Sequence, residues 1–231
     1  MSRLFPERLV VELAPEEISV GGKSYPCDKS FGAEAWHGAV AALRALQWTA
    51  PARVEVILSN HFVRYAVIPW SKALSGAEEE QAYVRHHFVK IHGERAKSWV
   101  VRASPASAGA PRLASAIDAA LLEEIRRAFP RGGRARLVAV QPLLMSRFNA
   151  WREAVPEGGA WLVIAEGERA CVALHAGRGW RSVQNARGAW LELLERERFR
   201  SPAGSLPNLV LLGGAPTPPE TGTWRFREFP A

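Results

Sequence analysis

The densest group of side chains able to do chemistry lies between Glu78 and His92, where EEEQAYVRHHFVKIH sets Glu78, Glu79 and Glu80 ahead of His86, His87 and His92. Metal ligands on one helix need i, i+4 spacing, and the fourth residue after His87 is Ile91, so the pattern reads as a solvated helix face. Ser59-Asn60-His61 places a hydroxyl beside an imidazole, but no G-x-S-x-G elbow surrounds it and a turn explains it. Glu12 and Glu55 can face one another across strands as nuclease metal ligands, yet nothing supplies the remaining carboxylates. Exposed strand carboxylates account for both. Neither a G-x-x-x-x-G-K-[ST] loop nor a cysteine pair with zinc spacing occurs. No catalytic residue, cofactor site or metal site is therefore expected.

Two basic runs, Arg126-Arg127 to Arg136 and Arg196 to Arg200, can meet phosphates, and nine tryptophans can stack on bases. Against this, Trp36, Trp99, Trp161 and Trp190 fall in periodic segments where burial is the ordinary explanation. Glu192, Glu195 and Glu197 interleave with the second run and pair with part of it. Nucleic-acid binding stands as an alternative function and nucleic acid is not an expected partner.

At 231 residues, 48% hydrophobic and 23% charged, the chain can bury a full core as one large or two small domains. The net charge of +7 and pI near 10.0 permit an anionic partner without requiring one. Cys27 and Cys171 lie far apart in strand-like runs, which reads as buried free thiols in a reducing cytoplasm. No window approaches the roughly 18 apolar residues that span a bilayer, so a soluble chain is expected.

These residues are positioned by a regular series of elements. Leu9 to Leu13, Ile18 to Val20 and Ser24 to Cys27 read as short antiparallel strands, and Phe31 to Trp48 as a helix closed by Pro51. Arg53 to Trp70 is the centre of the pattern. Val54 to Leu58 and Phe62 to Ile68 each alternate apolar with polar residues, as a hairpin or one strand passing into another, and Pro69 ends the ladder. Ala77 to Gly93 predicts a helix with an acidic start and a glycine end.

Ser98 to Ala103 and Arg112 to Ile117 read as strands, Asp118 as the cap of a helix to about Phe129, Arg134 to Val140 as a strand and Leu143 to Ala154 as a helix. After the break Pro156-Glu157-Gly158-Gly159, the strands Ala160 to Ala165, Ala170 to His175 and Trp180 to Val183 precede a helix Arg187 to Phe199 and a strand Asn208 to Leu212. The opening β-β-β-α-β order is thus repeated. The tail, with Trp224, Phe226 and Phe229 alternating, predicts a final edge strand.

The run VEVILSNHFVRYAVIPW, the helix EEEQAYVRHHF, and then LASAIDAALLEEIRRAF and ARLVAVQPLLMSRF resemble the PilM family of type IV pilus assembly proteins. They are also similar to the cytoplasmic domain of GspL from type II secretion. The resemblance implies an α/β actin-like (RNase H-like) two-lobed fold built from β-β-β-α-β units, here reduced and degenerate. Residues 1–156 form the first lobe, with an inserted subdomain at about 53–117, and residues 157–231 a second, shortened lobe. GspL proteins continue into a transmembrane helix that this sequence lacks, which implies a soluble PilM-like protein or a domain cut before such a helix.

In that fold a glycine-containing turn after the first strand holds phosphates, because a side chain there blocks close approach. The corresponding residues are Glu12-Leu13-Ala14-Pro15-Glu16-Glu17: glycine is absent, Pro15 lacks an amide donor, and two carboxylates repel a triphosphate. The second-lobe turn, Ala165-Glu166-Gly167-Glu168, keeps a glycine between carboxylates. Gly213-Gly214 resembles the glycine pair near the adenosine in the family.

The expected function is therefore a non-catalytic cytoplasmic scaffold of a type IV pilus or type II secretion-like inner-membrane platform. Its implied partner is a membrane-anchored PilN-like or GspM-like protein, bound through a short cytoplasmic segment. The assembly ATPase and a second copy of the chain are further candidate partners. Phe62, Arg64 and Trp70 are the candidate partner-binding residues; their packing against the 77–93 helix is the competing reading. An active actin-like ATPase or kinase with a nonstandard phosphate loop is the alternative from the enzyme class.

Overall fold

The computed structural model describes residues 6–30, 32–74, 76–177, 179–201, 206–219 and 222–229. Along the chain run β1 (Glu7–Leu13), β2 (Glu17–Val20), β3 (Lys23–Pro26), α1 (His37–Ala45), β4 (Ala52–Leu58), β5 (Arg64–Ile68) and α2 (Ala77–His92). Then follow β6 (Trp99–Ala103), β7 (Arg112–Asp118), α3 (Ala119–Arg127), β8 (Ala135–Pro142) and α4 (Leu143–Trp151). The last are β9 (Ala160–Glu166), β10 (Arg169–Ala176), β11 (Gly179–Arg187), α5 (Trp190–Arg200), β12 (Leu209–Gly213) and β13 (Arg225–Phe229). Two compact units result: Met1–Val63 with Ile117–Ser146, and Arg64–Ala116 with Arg147–Ala231.

The first unit holds a five-stranded sheet in the order β3-β2-β1-β4-β8. β1 runs parallel to β4, from Glu7 against Ala52 to Leu13 against Leu58, and β4 runs parallel to β8, while β2 and β3 are antiparallel. One sheet face is wholly apolar: Val11, Leu13, Val54 and Val56 are buried, together with Leu43 of α1 and Leu121 and Ile125 of α3. α1 packs on α3, and Arg44 of α1 pairs with Glu124 of α3. Asp118 starts α3 as expected, its carboxylate accepting from the Ala120 amide at 2.9 Å.

The second unit repeats this plan. Its larger sheet has the order β11-β10-β9-β12-β13, with β9, β12 and β13 parallel and β10 and β11 antiparallel. β9, β10, β11, α5, β12 and β13 thus take the places of β1, β2, β3, α1, β4 and β8, and the expected edge strand of the tail is β13. Trp161, Val163, Val172, Leu194, Val210 and Leu212 form its core. A second sheet, β5-β7-β6, packs under α2 around Phe88, Val84, Ile68 and Val101. Glu80 in the first turn of α2 accepts two hydrogen bonds from Arg112 of β7, at 2.6 and 3.0 Å, clamping helix to sheet.

The structure corrects several expectations. β4 and β5 do not form a hairpin: β4 is enclosed between β1 and β8, and β5 pairs antiparallel with β7, so the chain crosses from one sheet into another. By contacts, residues 64–116 cluster with residues 147–231. The β5-β7-β6 sheet groups with residues 147–231, because β5 lies alongside β11 and Gly179 abuts the Pro111 carbonyl so closely that an added methyl would sit 2.9 Å from it.

The helix expected over Phe31 to Trp48 shortens to His37–Ala45 after a 3-10 turn at Gly32–Glu34; Phe31 lies outside the described residues. Ser30 accepts from the Gly38 amide at 3.0 Å, so the chain before α1 is held by a side chain and not by helical bonding. The helix expected from Arg187 starts at Trp190, because β11 stays paired with β10 out to Arg187.

Phe88 is fully buried between α2 and its sheet. Phe88→Ala is expected to lower unfolding stability by about 3–5 kcal/mol, read from the urea midpoint at unchanged slope.

Candidate functional site

Two turns and a glycine pair lie at the carboxyl ends of the parallel strands, where open α/β sheets bind ligands. In the first unit the β1–β2 turn is closed by the Ala14 amide donating to the Glu17 carbonyl at 3.0 Å. The Cys27 amide donates to the Glu16 carbonyl at 2.9 Å, and the Cys27 thiol lies 3.8 and 3.7 Å from the Ala14 and Pro15 carbonyl oxygens. The Glu16 carboxylate pairs with Lys29 across the turn. That hydrogen bond, then the Lys29 charge, holds the Glu16 carboxyl below its ordinary range. The turn thus presents an internally paired acid and base.

Beside it, the Ser59 amide donates to the Leu13 carbonyl at 2.9 Å, tying the end of β1 to the segment after β4. Ser59 and Asn60 are buried, 4% and 0% exposed, and the Ser59 hydroxyl accepts from the His61 amide at 3.1 Å. Ser59-Asn60-His61 is a buried structural turn. Glu12 stands opposite Ile57, and Glu55 opposite Val10, so the two carboxylates share a face but are offset by two residues. Among the described residues no group of three or more His, Cys, Asp or Glu side chains can hold a metal ion.

In the second unit the β9–β10 turn has Gly167 at φ +59° between the paired residues Glu166 and Arg169, the conformation a two-residue hairpin requires of its first central position. Gly213 and Gly214 follow β12. A methyl on Gly213 would lie 2.7 Å from the Trp151 indole, and one on Gly214, at φ +78°, only 2.0 Å from the Ala165 carbonyl oxygen. Trp151 is 4% exposed and stacks on Phe229 with ring centroids 4.9 Å apart. The glycine pair is needed for the chain's own packing, with an indole seated against it. Trp151 was not singled out by its sequence; its signal is an aromatic at the end of α4, too common to be read alone.

The candidate partner-binding residues separate. Phe62 is buried, 8% exposed, and offers no surface. Arg64 lies on the β5 face that carries Ala66 and Ile68 toward α2. Burial, then the charges of Arg169 and Arg95, weakens its hold on its proton. Its neighbours include His92, which packs on Phe88 and Trp99, and Arg95, whose guanidinium lies 5.9 Å from the Trp99 ring centre. Cations gather there beside the carboxyl end of α2, where the helix dipole favours them. Trp70, past Pro69, is 40% exposed.

The basic runs are largely paired. Arg126 and Arg127 bind Glu123 and Glu124, Arg200 binds Glu197, and Arg198 donates to Thr223 and covers the Trp224 ring. Both cysteines are free; Cys171 is fully buried and burial raises its thiol pKa, while Cys27 is only partly covered, just past β3.

No protein-family model matches the chain, and no curated protein matches it by sequence. Solved structures do match. The cytoplasmic domain of EpsL, an inner-membrane component of the Vibrio cholerae type II secretion system, superposes with a TM-score of 0.59 and 13% identity, over 96% of this chain and 89% of that one. The PilM-PilN type IV pilus biogenesis complex matches with a TM-score of 0.61 and 15% identity, over 89% and 80%. A Bacteroides thetaiotaomicron protein of actin-like ATPase fold and unknown function gives 0.51 and 10%, again over 89% and 80%. The fold is that of the actin-like ATPases. The resemblance seen in the sequence thus holds at the level of fold.

Two outcomes follow for this region. Gly214→Ala is expected to destabilise by more than about 1 kcal/mol, since strain at positive φ adds to the clash with the Ala165 carbonyl; thermal unfolding reads it. Burial also holds His87, His92 and His175 below the ordinary imidazole value of 6.5. Their stabilising effect is complete above that value and is lost as pH falls through it, because the unfolded chain then binds more protons. The urea midpoint is expected to fall from about pH 7 to about pH 5, and His175→Gln to reduce that fall.

Proposed function

We propose that this chain is a non-catalytic cytoplasmic scaffold of a type IV pilus or type II secretion-like inner-membrane assembly platform, bound to a membrane-anchored partner through that partner's short cytoplasmic segment. The observation that carries the reading is the β1–β2 turn. Where the fold offers glycine and free amides to phosphate, this turn has Pro15, an amide engaged by Glu17, and a Glu16–Lys29 pair. Trp151 against Gly213 supports it, because an indole is packed directly on the glycine pair. The match to an inner-membrane secretion component and to a pilus complex supports the setting. Arg64 and Trp70 are the residues proposed to meet the partner, while Phe62 is buried. The partner is proposed to be PilN-like or GspM-like in kind, which places the chain at the inner membrane through that contact.

Nucleotide and partner are separable experimentally. Millimolar ATP with magnesium is expected to leave the melting temperature unchanged, because a ligand with no site in the folded state cannot stabilise it. A rise of several degrees would instead favour an active ATPase. Chemical crosslinking in a membrane fraction should join the chain to the cytoplasmic segment of an inner-membrane protein, and a synthetic copy of that segment should bind the purified chain. Arg64→Glu with Trp70→Ala is expected to weaken that binding at least about tenfold; unchanged binding would remove these residues from the contact.

A further inference from the structure

One groove in the first unit is used by nothing described so far. It has a volume of about 610 Å³ and is lined by Arg126, Phe129, Pro130, Arg131, Arg136 and Leu137, among others. Local sequence explains its shape. α3 stops at Arg127, and Pro130 to Gly133 form a turn closed by the Gly133 amide donating to the Pro130 carbonyl at 3.1 Å. Gly132 at φ +83° supplies the backbone reversal and leaves its side open, with no atom within 4 Å of where a methyl would stand. The turn then feeds β8, the last strand on that side of the sheet.

β8 is an edge strand of its sheet. The Ala52 amide donates to the Arg134 carbonyl at 2.9 Å, so the polar groups of that residue point toward β4. Alternation along a strand then turns the amide and carbonyl of Leu137 outward, beyond Ala135, which is only 4% exposed. Just beyond, the register shifts and leaves Val138 as an extra, 45% exposed residue. Backbone donors and acceptors, apolar side chains and a concave floor thus lie together.

Charge selects the occupant. Arg126, Arg127, Arg131, Arg134 and Arg136 fall in a stretch without a single carboxylate. Arg126 and Arg127 are paired with glutamates of their own helix, and Arg134 donates to the Thr49 carbonyl. Arg131 and Arg136 are exposed and have no carboxylate partner among the described residues. We propose that this edge receives an extended, carboxylate-bearing segment of a partner protein, which adds to the five-stranded sheet beside β8 and sets acidic side chains on Arg131 and Arg136. A peptide fits better than a phosphodiester or a bilayer: it alone matches the alternating amides and carbonyls of a strand edge, and a flat lipid surface cannot enter a groove. The site does not depend on the contact proposed for Arg64 and Trp70.

The test uses the whole purified chain and a fluorescent peptide of β8's own length that alternates glutamate with valine. Anisotropy should show saturable binding that weakens steeply with salt, and backbone amide shifts in NMR should centre on Ala135 to Leu137. Arg131→Glu with Arg136→Glu should weaken binding at least about tenfold, while Lys23→Glu, at the opposite edge of the same sheet, should leave it within about twofold. A peptide with glutamine for glutamate, or with proline at alternate positions, should lose most of the affinity. Circular dichroism checks the fold, and Arg131→Gln with Arg136→Gln serves if the reversed pair does not fold. Equal binding by the glutamine peptide, indifference to the arginine changes, or amide shifts elsewhere would overturn the proposal. So would binding of phosphatidylglycerol vesicles or single-stranded DNA that is lost in the arginine variant while the acidic peptide fails to bind.

Discussion

The parallel pairing of β1 with β4, and of β9 with β12, is the constraint on which the rest depends. A parallel neighbour cannot be reached by a tight turn, so each pair demands a crossover, and α1 and α5 are those crossovers. Seven consecutive residues of β4 find partners on β1, all with Val11, Leu13, Val54 and Val56 turned to one buried face. Slipping that register by one residue would place Glu12 and Glu55 in the core, which fixes the alignment. It also fixes where the turns emerge, since the carboxyl ends of the parallel strands open to the β1–β2 turn and to Gly213-Gly214.

At those strand ends the chain's own atoms engage one another. Around Ala14 to Glu17 the positions are taken by hydrogen bonds within the turn, by the Cys27 thiol and by an ion pair. At Gly213 they are taken by a buried indole stacked on Phe229. Both arrangements are local and satisfy polar groups or close apolar space, which makes them stabilising. A fold can therefore keep its strand order while its turns vary, because the core faces and the turn residues are chosen independently.

The arginine-rich surface divides in the same spirit. Within helices, charges resolve into i,i+3 pairs such as Arg126 with Glu123 and Arg127 with Glu124, worth little in stability and leaving little net field. Where the chain leaves the helix, at Arg131 and Arg136, no carboxylate lies three or four residues away to pair with, so positive charge stays at a sheet edge.

Periodicity alone specified the strands, the helices, the Asp118 cap, the doubled β-β-β-α-β order and the absence of glycine in the first turn, because each depends on side chains within a few residues of one another. What it left open were matters of long-range partnership. Val54 to Leu58 alternates equally well as half of a hairpin or as a central parallel strand, and only the pairing with β1 and β8 decided between them. Phe62 read either as a partner-binding or as a packed aromatic and is buried, since exposure depends on which elements fold over a residue. Trp151 against Gly213 and the open edge at β8 were invisible in sequence for the same reason: they join residues tens of positions apart, and a side chain's neighbours at that range are set by the packing of whole sheets.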